Sequence, residues 1–300
     1  MERIMLPQLF KIPFIDVPIH TYGVMIVIGF LLAIYIAYRQ CLQIGKYADD
    51  VLDFGFWALV GGMLGARIVF IMVEWRSFFI DHPFVELGHS GVKIPSVFAI
   101  WQGGLVYFGS IIGGFIAYLI FAKKRSLPTL HVADILVLGV PLAQMFGRLG
   151  CIAAGCCWGG NVGANWPIAL QFPPGSSAFA SLWESASPEV RSYMQQMGHT
   201  MPLFPSQLAE AFGTALLFFV LYFIARHKRF HGQVLLSYAV LYSILRSILE
   251  IFRGDVGRGF VIEGILSTSQ FISLVVVLAS LIAMWWIHRK SKEHVSSPPY

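Results

Sequence analysis

The sequence predicts an all-α integral membrane protein with about seven transmembrane helices and a small extracytoplasmic cap, on the strength of three observations. Of its 300 residues, 57% are hydrophobic and only 12% are charged, where a soluble domain carries roughly 25% charge; the mean hydropathy is +0.70. Seven mainly apolar runs approach the roughly 20 residues that a spanning helix needs. Lysine and arginine are also distributed unequally between the two sides that these runs define. The composition excludes a soluble globule, a disordered chain and a fibre.

The expected spans, in order, are 22–38, 51–73, 104–121, 132–150, 207–225, 233–251 and 264–287. The first is expected to be retained, because Arg39 follows the apolar run instead of preceding it and no small-residue cleavage site appears. Connections on the side of the C-terminus carry eleven Lys and Arg, including Lys123, Lys124, Arg125, Arg226, Lys228 and Arg229, against seven on the opposite side. The positive-inside rule therefore places the C-terminus in the cytoplasm and the N-terminus outside. A net charge of +5 arranged in this way reflects membrane topology, and nucleic acid is not an expected partner. The chain 1–300 reads as one polytopic membrane domain carrying an insertion, 151–206, as its cap. Trp158, Trp166 and Trp183 are expected to anchor that cap at the interface.

Ionisable residues inside spans are costly and mark functional sites by default. Arg67, Asp134, Arg148, Glu210, Arg246 and Glu250 qualify. On this topology all but Asp134 fall in the extracytoplasmic half, so the polar centre opens outward. Arg246 and Glu250 share a helix face at i,i+4, and Arg253 extends the stripe. The arginines exceed what Glu210 and Glu250 neutralise, which points to an anionic ligand. Guanidinium forks match phosphate, and a phospholipid head group is the anion most available at that depth. Gly61, Gly62, Gly65, Gly109, Gly113 and Gly114 form small-residue patterns that allow close helix packing. Trp101-Gln102-Gly103-Gly104, just before a span, suggests broken backbone able to offer amides to a ligand.

The run from Gly147 through Arg148, Gly150, Cys151, Gly155, Cys156, Cys157 and Trp158 to Gly159 resembles the signature of the prolipoprotein diacylglyceryl transferases, in the subgroup with Gly-Cys-Cys-aromatic-Gly. His20-Thr21-Tyr22-Gly23, Trp101 to Leu105, Pro205-Ser206-Gln207-Leu208 with Glu210, the Arg246, Glu250 and Arg253 stripe, and Gln270 with Ser273 match in order along nearly the whole chain. The resemblance implies a bacterial inner-membrane enzyme that moves the diacylglyceryl group of phosphatidylglycerol onto the lipobox cysteine thiol of a preprolipoprotein, releasing glycerol phosphate. It implies that Arg148 contacts the head group and that Arg246 and Glu250 lie at the reaction centre. Arg67, Gln207, Gly103, Gly104, Tyr107, Gly155 and Arg253 complete the expected lipid contacts. Departures are present too. Phe108 stands where the family's Gly-Gly motif leads to histidine, Cys151 and Cys156 replace the usual asparagine and acidic residues, and Ala209 replaces tyrosine.

The transfer requires a thiolate, an electrophilic carbon and a stabilised phosphate leaving group. With no histidine at 108, Glu250 is the first candidate proton acceptor, with Glu210, Tyr22 and His20 as alternatives or relays. Clustered Cys151, Cys156 and Cys157 raise a rival, a membrane thiol oxidoreductase, and the arginines raise another, a transporter for an anionic solute. The C-x4-C and C-C spacings lack a neighbouring histidine and match no zinc pattern, so no metal or other cofactor is expected.

Overall fold

A computed structural model describes residues 7–11, 18–81, 83–86, 93–99, 104, 106–163, 166–254, 259–262 and 266–296. Its long helices are α1 Thr21–Ile44, α2 Ala48–Val73, α3 Tyr107–Lys124 and α4 Thr129–Ala154, then, after two short helices α5 Ser177–Ser185 and α6 Pro188–Met197, α7 Ser206–Arg226, α8 Gln233–Glu250 and α9 Thr268–Ser296. Among the described residues six of these, all but α3 among the long ones, are long and apolar enough to cross a membrane. The 18-residue α3 occupies the position of the third expected span and ends on Lys123 and Lys124. The protein is an all-α integral membrane protein, with three short antiparallel strand pairs that hydrophobic patterning did not suggest: β1 Gln8–Lys11 with β2 Pro18–His20, β3 Phe84–Glu86 with β4 Lys93–Pro95, and β5 Phe260–Ile262 with β6 Leu266–Ser267.

Several helices outrun their apolar stretches. Helix α1 continues past Arg39 to Ile44, because a charged residue ends a hydrophobic run without ending a helix once the chain has reached water. Helix α4 carries Pro141 inside, a residue that transmembrane helices tolerate better than soluble ones.

The chain divides into two compact units, residues 38–132 and residues 1–37 with 133–300. In the first, α2 and α3 pack backbone to backbone through glycine. A Cβ built on Gly65 would stand 2.3 Å from the Gly109 carbonyl oxygen, and one on Gly113 would stand 2.2 Å from that of Gly61. In lipid, where apolar burial does not drive helix association, such close approach is what holds two helices together. The second unit shows the same device between α1 and α4, where a Cβ on Gly139 would meet Ala33 Cα at 2.6 Å. Here Val137 and Leu138 of α4, Leu217 and Leu221 of α7 and Val234 of α8 form a buried cluster.

Asp134 is a structural group in this fold. It is 2% exposed, pairs with Lys228 at 3.0 Å and accepts the amides of Gly232 at 2.9 Å and Leu235 at 3.0 Å. Helix α8 begins at Gly232, which has no side chain to cap it, so a carboxylate on α4 satisfies its first amides and meets the positive end of its dipole.

Between α4 and α7 the chain builds a core of its own from Trp158, Leu170, Phe172, Ala178 and Leu203. Trp158, expected at an interface, is only 7% exposed, because its ring packs into this small core with Leu170, Phe172 and Leu203. Ser176 caps α5 by accepting the Phe179 amide at 3.0 Å. Ser187, followed by Pro188, opens α6, and Gly198 at φ 70° closes it. Trp166 remains 44% exposed.

Replacing Gly113 by alanine is expected to lower stability by about 1 to 3 kcal/mol. Gly114→Ala, at a position with no atom within 4 Å, should hold stability or raise it by up to ~1 kcal/mol; thermal unfolding in detergent compares the two. Asp134→Asn should lower stability by about 2 kcal/mol in the same measurement.

Candidate active site

The site is built where α4 ends, α7 begins and α8 passes between them. Helix α4 terminates in a glycine cap: Gly155, at φ 64°, donates to Ile152 O at 3.1 Å while Cys156 donates to Cys151 O at 3.1 Å, the paired bonds of a Schellman turn. Cys157 then also takes a left-handed conformation, φ 61°, which a non-glycine residue adopts only when its surroundings impose it. The first two residues of α7 impose it. Ser206 Oγ donates to the Cys157 carbonyl at 2.7 Å, and Gln207 Nε2 donates to that of Cys156 at 2.8 Å.

This turn places two ion pairs in neighbouring helices. Arg148 of α4 meets Glu210 of α7 at 2.9 Å, with the carboxylate side chain 3% exposed. Tyr242 of α8 donates its hydroxyl to the same Glu210 oxygen at 3.3 Å. One turn further along α8, Arg246 pairs with Glu250 at 2.8 Å, so Tyr242, Arg246 and Glu250 repeat at i,i+4,i+8 on one face. Because Tyr242 points that face at Glu210, the Arg246 pair lies about 6 Å along the axis from it. Both arginine side chains are about one-fifth exposed, at 21% and 17%.

Tyr22, in the first turn of α1, packs against α4 where Gly150 leaves room: a Cβ there would stand 3.0 Å from the tyrosine ring. His20 ends β2 and is exposed. Arg253 follows α8, its backbone bridged to Gly159. Gln207 is 1% exposed, and its Oε1 is buried with no hydrogen-bond partner among the described residues, as is Oε1 of Gln144.

In the unit 38–132, Arg67 directs Nε to Val97 O at 3.0 Å, one terminal nitrogen to Gly104 O at 3.2 Å and the other to Ser96 O at 2.9 Å, with Phe70 and Phe78 over its guanidinium. Gly104 stands at φ 81°, and a Cβ on it would strike the Phe70 ring at 2.1 Å, so only glycine fits at that position. Tyr107 is the first residue of α3. Gly103, Trp101 and Gln102 lie outside the described residues, and Phe108 is 60% exposed.

Sequence reasoning missed Tyr242 and Gln144, and it quoted Ser206 only within the Pro205-Ser206-Gln207-Leu208 run, without a role. Tyr242 and Gln144 each lie four residues before a recognised arginine, Arg246 and Arg148, which was signal enough to place them on the same faces. Ser206 gave no comparable sign, because its bond reaches back 49 residues.

The three clustered cysteines also converge. The sulfur atoms of Cys151, Cys156 and Cys157 all lie within 4.8 Å of one another, and all four cysteines of the chain are unbridged. The Cys157 thiol is held well below its ordinary pKa. Hydrogen bonds from Cys151 and then Cys156 contribute most, burial opposes them, and the charges of Arg148 and Arg253 add to the depression.

Fold and site together define a multi-pass membrane protein with paired arginines and carboxylates in its helical core. The chain belongs to the prolipoprotein diacylglyceryl transferase family, whose model matches residues 7–286. It is 31% identical over 282 residues to phosphatidylglycerol–prolipoprotein diacylglyceryl transferase 2 of Clostridium perfringens, covering 93% of each chain. It is 32% identical over 279 residues to the phosphatidylglycerol–prolipoprotein diacylglyceryl transferase of Clostridium tetani, covering 92% of this chain and 96% of the relative. A Burkholderia multivorans enzyme of the same name is 30% identical over 289 residues, covering 91% and 92%. The protein is a membrane transferase.

Removing Glu210 should strand Arg148 in a largely buried position. Glu210→Ala is expected to cost roughly 3 kcal/mol of stability, whereas Tyr242→Phe, which deletes one long hydrogen bond, should cost about 1 kcal/mol. Thermal unfolding of the purified variants in detergent checks both.

Proposed function

We propose that this chain transfers the diacylglyceryl group of phosphatidylglycerol to the lipobox cysteine thiol of preprolipoproteins and releases glycerol phosphate. In this reading it works in the bacterial inner membrane, with the N-terminus and the 151–206 cap outside and the C-terminus in the cytoplasm. The observation that carries the proposal is the pair of ion pairs, Arg148 with Glu210 and Arg246 with Glu250, held in adjoining helices and joined through Tyr242.

Each carboxylate fixes a guanidinium before lipid arrives. The arginines then meet phosphate oxygens without first losing rotamer freedom, and charge that grows on the departing phosphate is balanced where water is scarce. The cysteine sulfur of the peptide attacks the glyceryl carbon. A carbon–sulfur bond forms, the carbon–oxygen bond to phosphate breaks, and the electron pair leaves with glycerol phosphate. The thiol proton passes to Glu250, with Glu210, Tyr22 and His20 as further proton-handling groups.

The buried Gln207 Oε1 supports a hydroxyl-bearing head group, because an unsatisfied buried acceptor costs about 1 to 3 kcal/mol and a glycerol hydroxyl would supply the missing donor. In the same reading Gly155 and Arg253 contact the lipid, and Gly103, Gly104 and Tyr107 keep the lipid-contact role that the family resemblance implies. Arg67 acts by holding the Gly104 backbone in place.

Purified protein given phosphatidylglycerol and a synthetic lipobox peptide should add one diacylglyceryl unit to the peptide, read by mass. Arg148→Ala, Arg246→Ala and Glu250→Gln should each lower the rate by about 100-fold or more. A folded wild type that adds no mass would overturn the proposal, and undiminished rates in the three variants would overturn the assignment of the site.

A further inference from the structure

We propose that Cys151, Cys156 and Cys157 form a three-thiolate site for one soft, thiophilic metal ion, and that its occupation suppresses lipid binding at Arg148. The second clause rests on the transferase reading; the first does not. Neither the transfer chemistry nor the ion-pair array has a use for these three thiols, since the nucleophilic sulfur comes from the peptide.

The geometry is that of a coordination set. A metal–sulfur distance of about 2.3 Å implies sulfur–sulfur separations of about 4 Å in a trigonal or tetrahedral arrangement, and the three sulfurs already lie within 4.8 Å of one another. A disulfide would use two thiols and leave the third idle, so convergence of all three favours a metal over a bridge. Soft thiolates select monovalent copper, zinc or cadmium over magnesium or calcium. With three protein ligands, the fourth position of a tetrahedral ion stays open.

The site is also held in shape. Cys151 lies in the last turn of α4, and the Schellman bonds of Gly155 and Cys156 fold the chain back over it. Cys157 is kept at φ 61° by bonds that end on the carbonyls of Cys156 and Cys157 from Gln207 and Ser206. A left-handed cysteine that two side chains hold in place is a preorganised ligand, because the strain is met before the ion arrives. The spacing gave no hint of this, since the zinc patterns known from sequence assume ligands on hairpins or helices, not a doubled left-handed turn.

Charge supplies the consequence. Three thiolates around a divalent ion leave a complex with one net negative charge. Arg148, close enough to act electrostatically on Cys151 and Cys157, stands beside it, and Arg253 acts on Cys157 as well. A guanidinium that faces an anionic metal complex attracts a phosphodiester less strongly, so metal and lipid oppose one another.

The test uses full-length protein, purified under reducing conditions with chelator and then freed of both. Titration with cadmium ion should produce a sulfur-to-metal charge-transfer absorption that saturates at one equivalent. The band should collapse in Cys151→Ser, in Cys156→Ser and in Cys157→Ser, and persist in Cys41→Ser. Peptide mass mapping after alkylation should show Cys151, Cys156 and Cys157 protected together. Zinc should displace the band. Lack of a saturable band, or a band indifferent to the three substitutions, would overturn the site, as would a two-dalton mass loss showing that two of the thiols are joined as isolated. These readouts need no enzymatic activity, so they stand or fall apart from the transferase reading. In the lipobox assay one equivalent of cadmium should lower wild-type turnover at least tenfold, while the rate of Cys156→Ser, relative to its own metal-free rate, should not respond. Full turnover with the site occupied would overturn the opposition between metal and lipid.

Discussion

A charge placed among membrane helices must be met by another charge or by oriented dipoles, and the arrangement of this molecule follows from how that requirement is satisfied. Glu210 is almost wholly buried, and Arg148 and Tyr242 both turn toward it, so one carboxylate ties three helices together. Asp134 does the corresponding work nearer the other end of α4, joining Lys228 and the first amides of α8. Helix α4 is thus fixed at two points about 20 Å apart along its axis by electrostatics, and glycine-mediated contact with α1 closes the space between. Lipid offers no hydrophobic force to hold helices together, which leaves polar ties and backbone contact as the main cohesive terms.

The two buried carboxylates differ in what they complete. Asp134 has its oxygens committed to a lysine and two amides, a closed set. Glu210 holds an arginine whose side chain keeps partial access to the outside, and Arg246 with Glu250 repeats that half-open state one turn away. An ion pair in hydrocarbon contributes little to stability relative to apolar residues of the same volume. In the proposed transfer reaction, these two pairs serve to bind phosphate as well as to tie helices together.

The sequence made the class of fold plain because apolar runs and charge asymmetry are one-dimensional signals. It located Arg148, Glu210, Arg246 and Glu250 through the cost of burying charge, and the i,i+4 relation of the last two needed no tertiary information. The partner of Arg148 was not legible, since 62 residues separate it from Glu210. The structural character of Asp134 was hidden for the same reason: its amide partners lie about a hundred residues away, at a helix start whose own cap is a glycine. Trp158 shows the limit of composition. An aromatic residue near a span end suits an interface or a core equally well, and only the packing of Leu170, Phe172 and Leu203 decides between them. The convergence of Cys151, Cys156 and Cys157 depended on two left-handed residues, Gly155 and Cys157, and no residue preference announces the second.

The bonds from Ser206 and Gln207 to the carbonyls of Cys157 and Cys156 make the excursion between them a closed loop. Chain leaves the helical core and returns to the same spot, so whatever lies in between is free to vary in length and content without moving the ends. Widening such a loop costs only slowly growing entropy. The segment 158–205 can therefore lengthen while Arg148 and Glu210 stay in register. In the proposed transferase reading, that segment can be remodelled and the chemistry at the ion pairs left untouched.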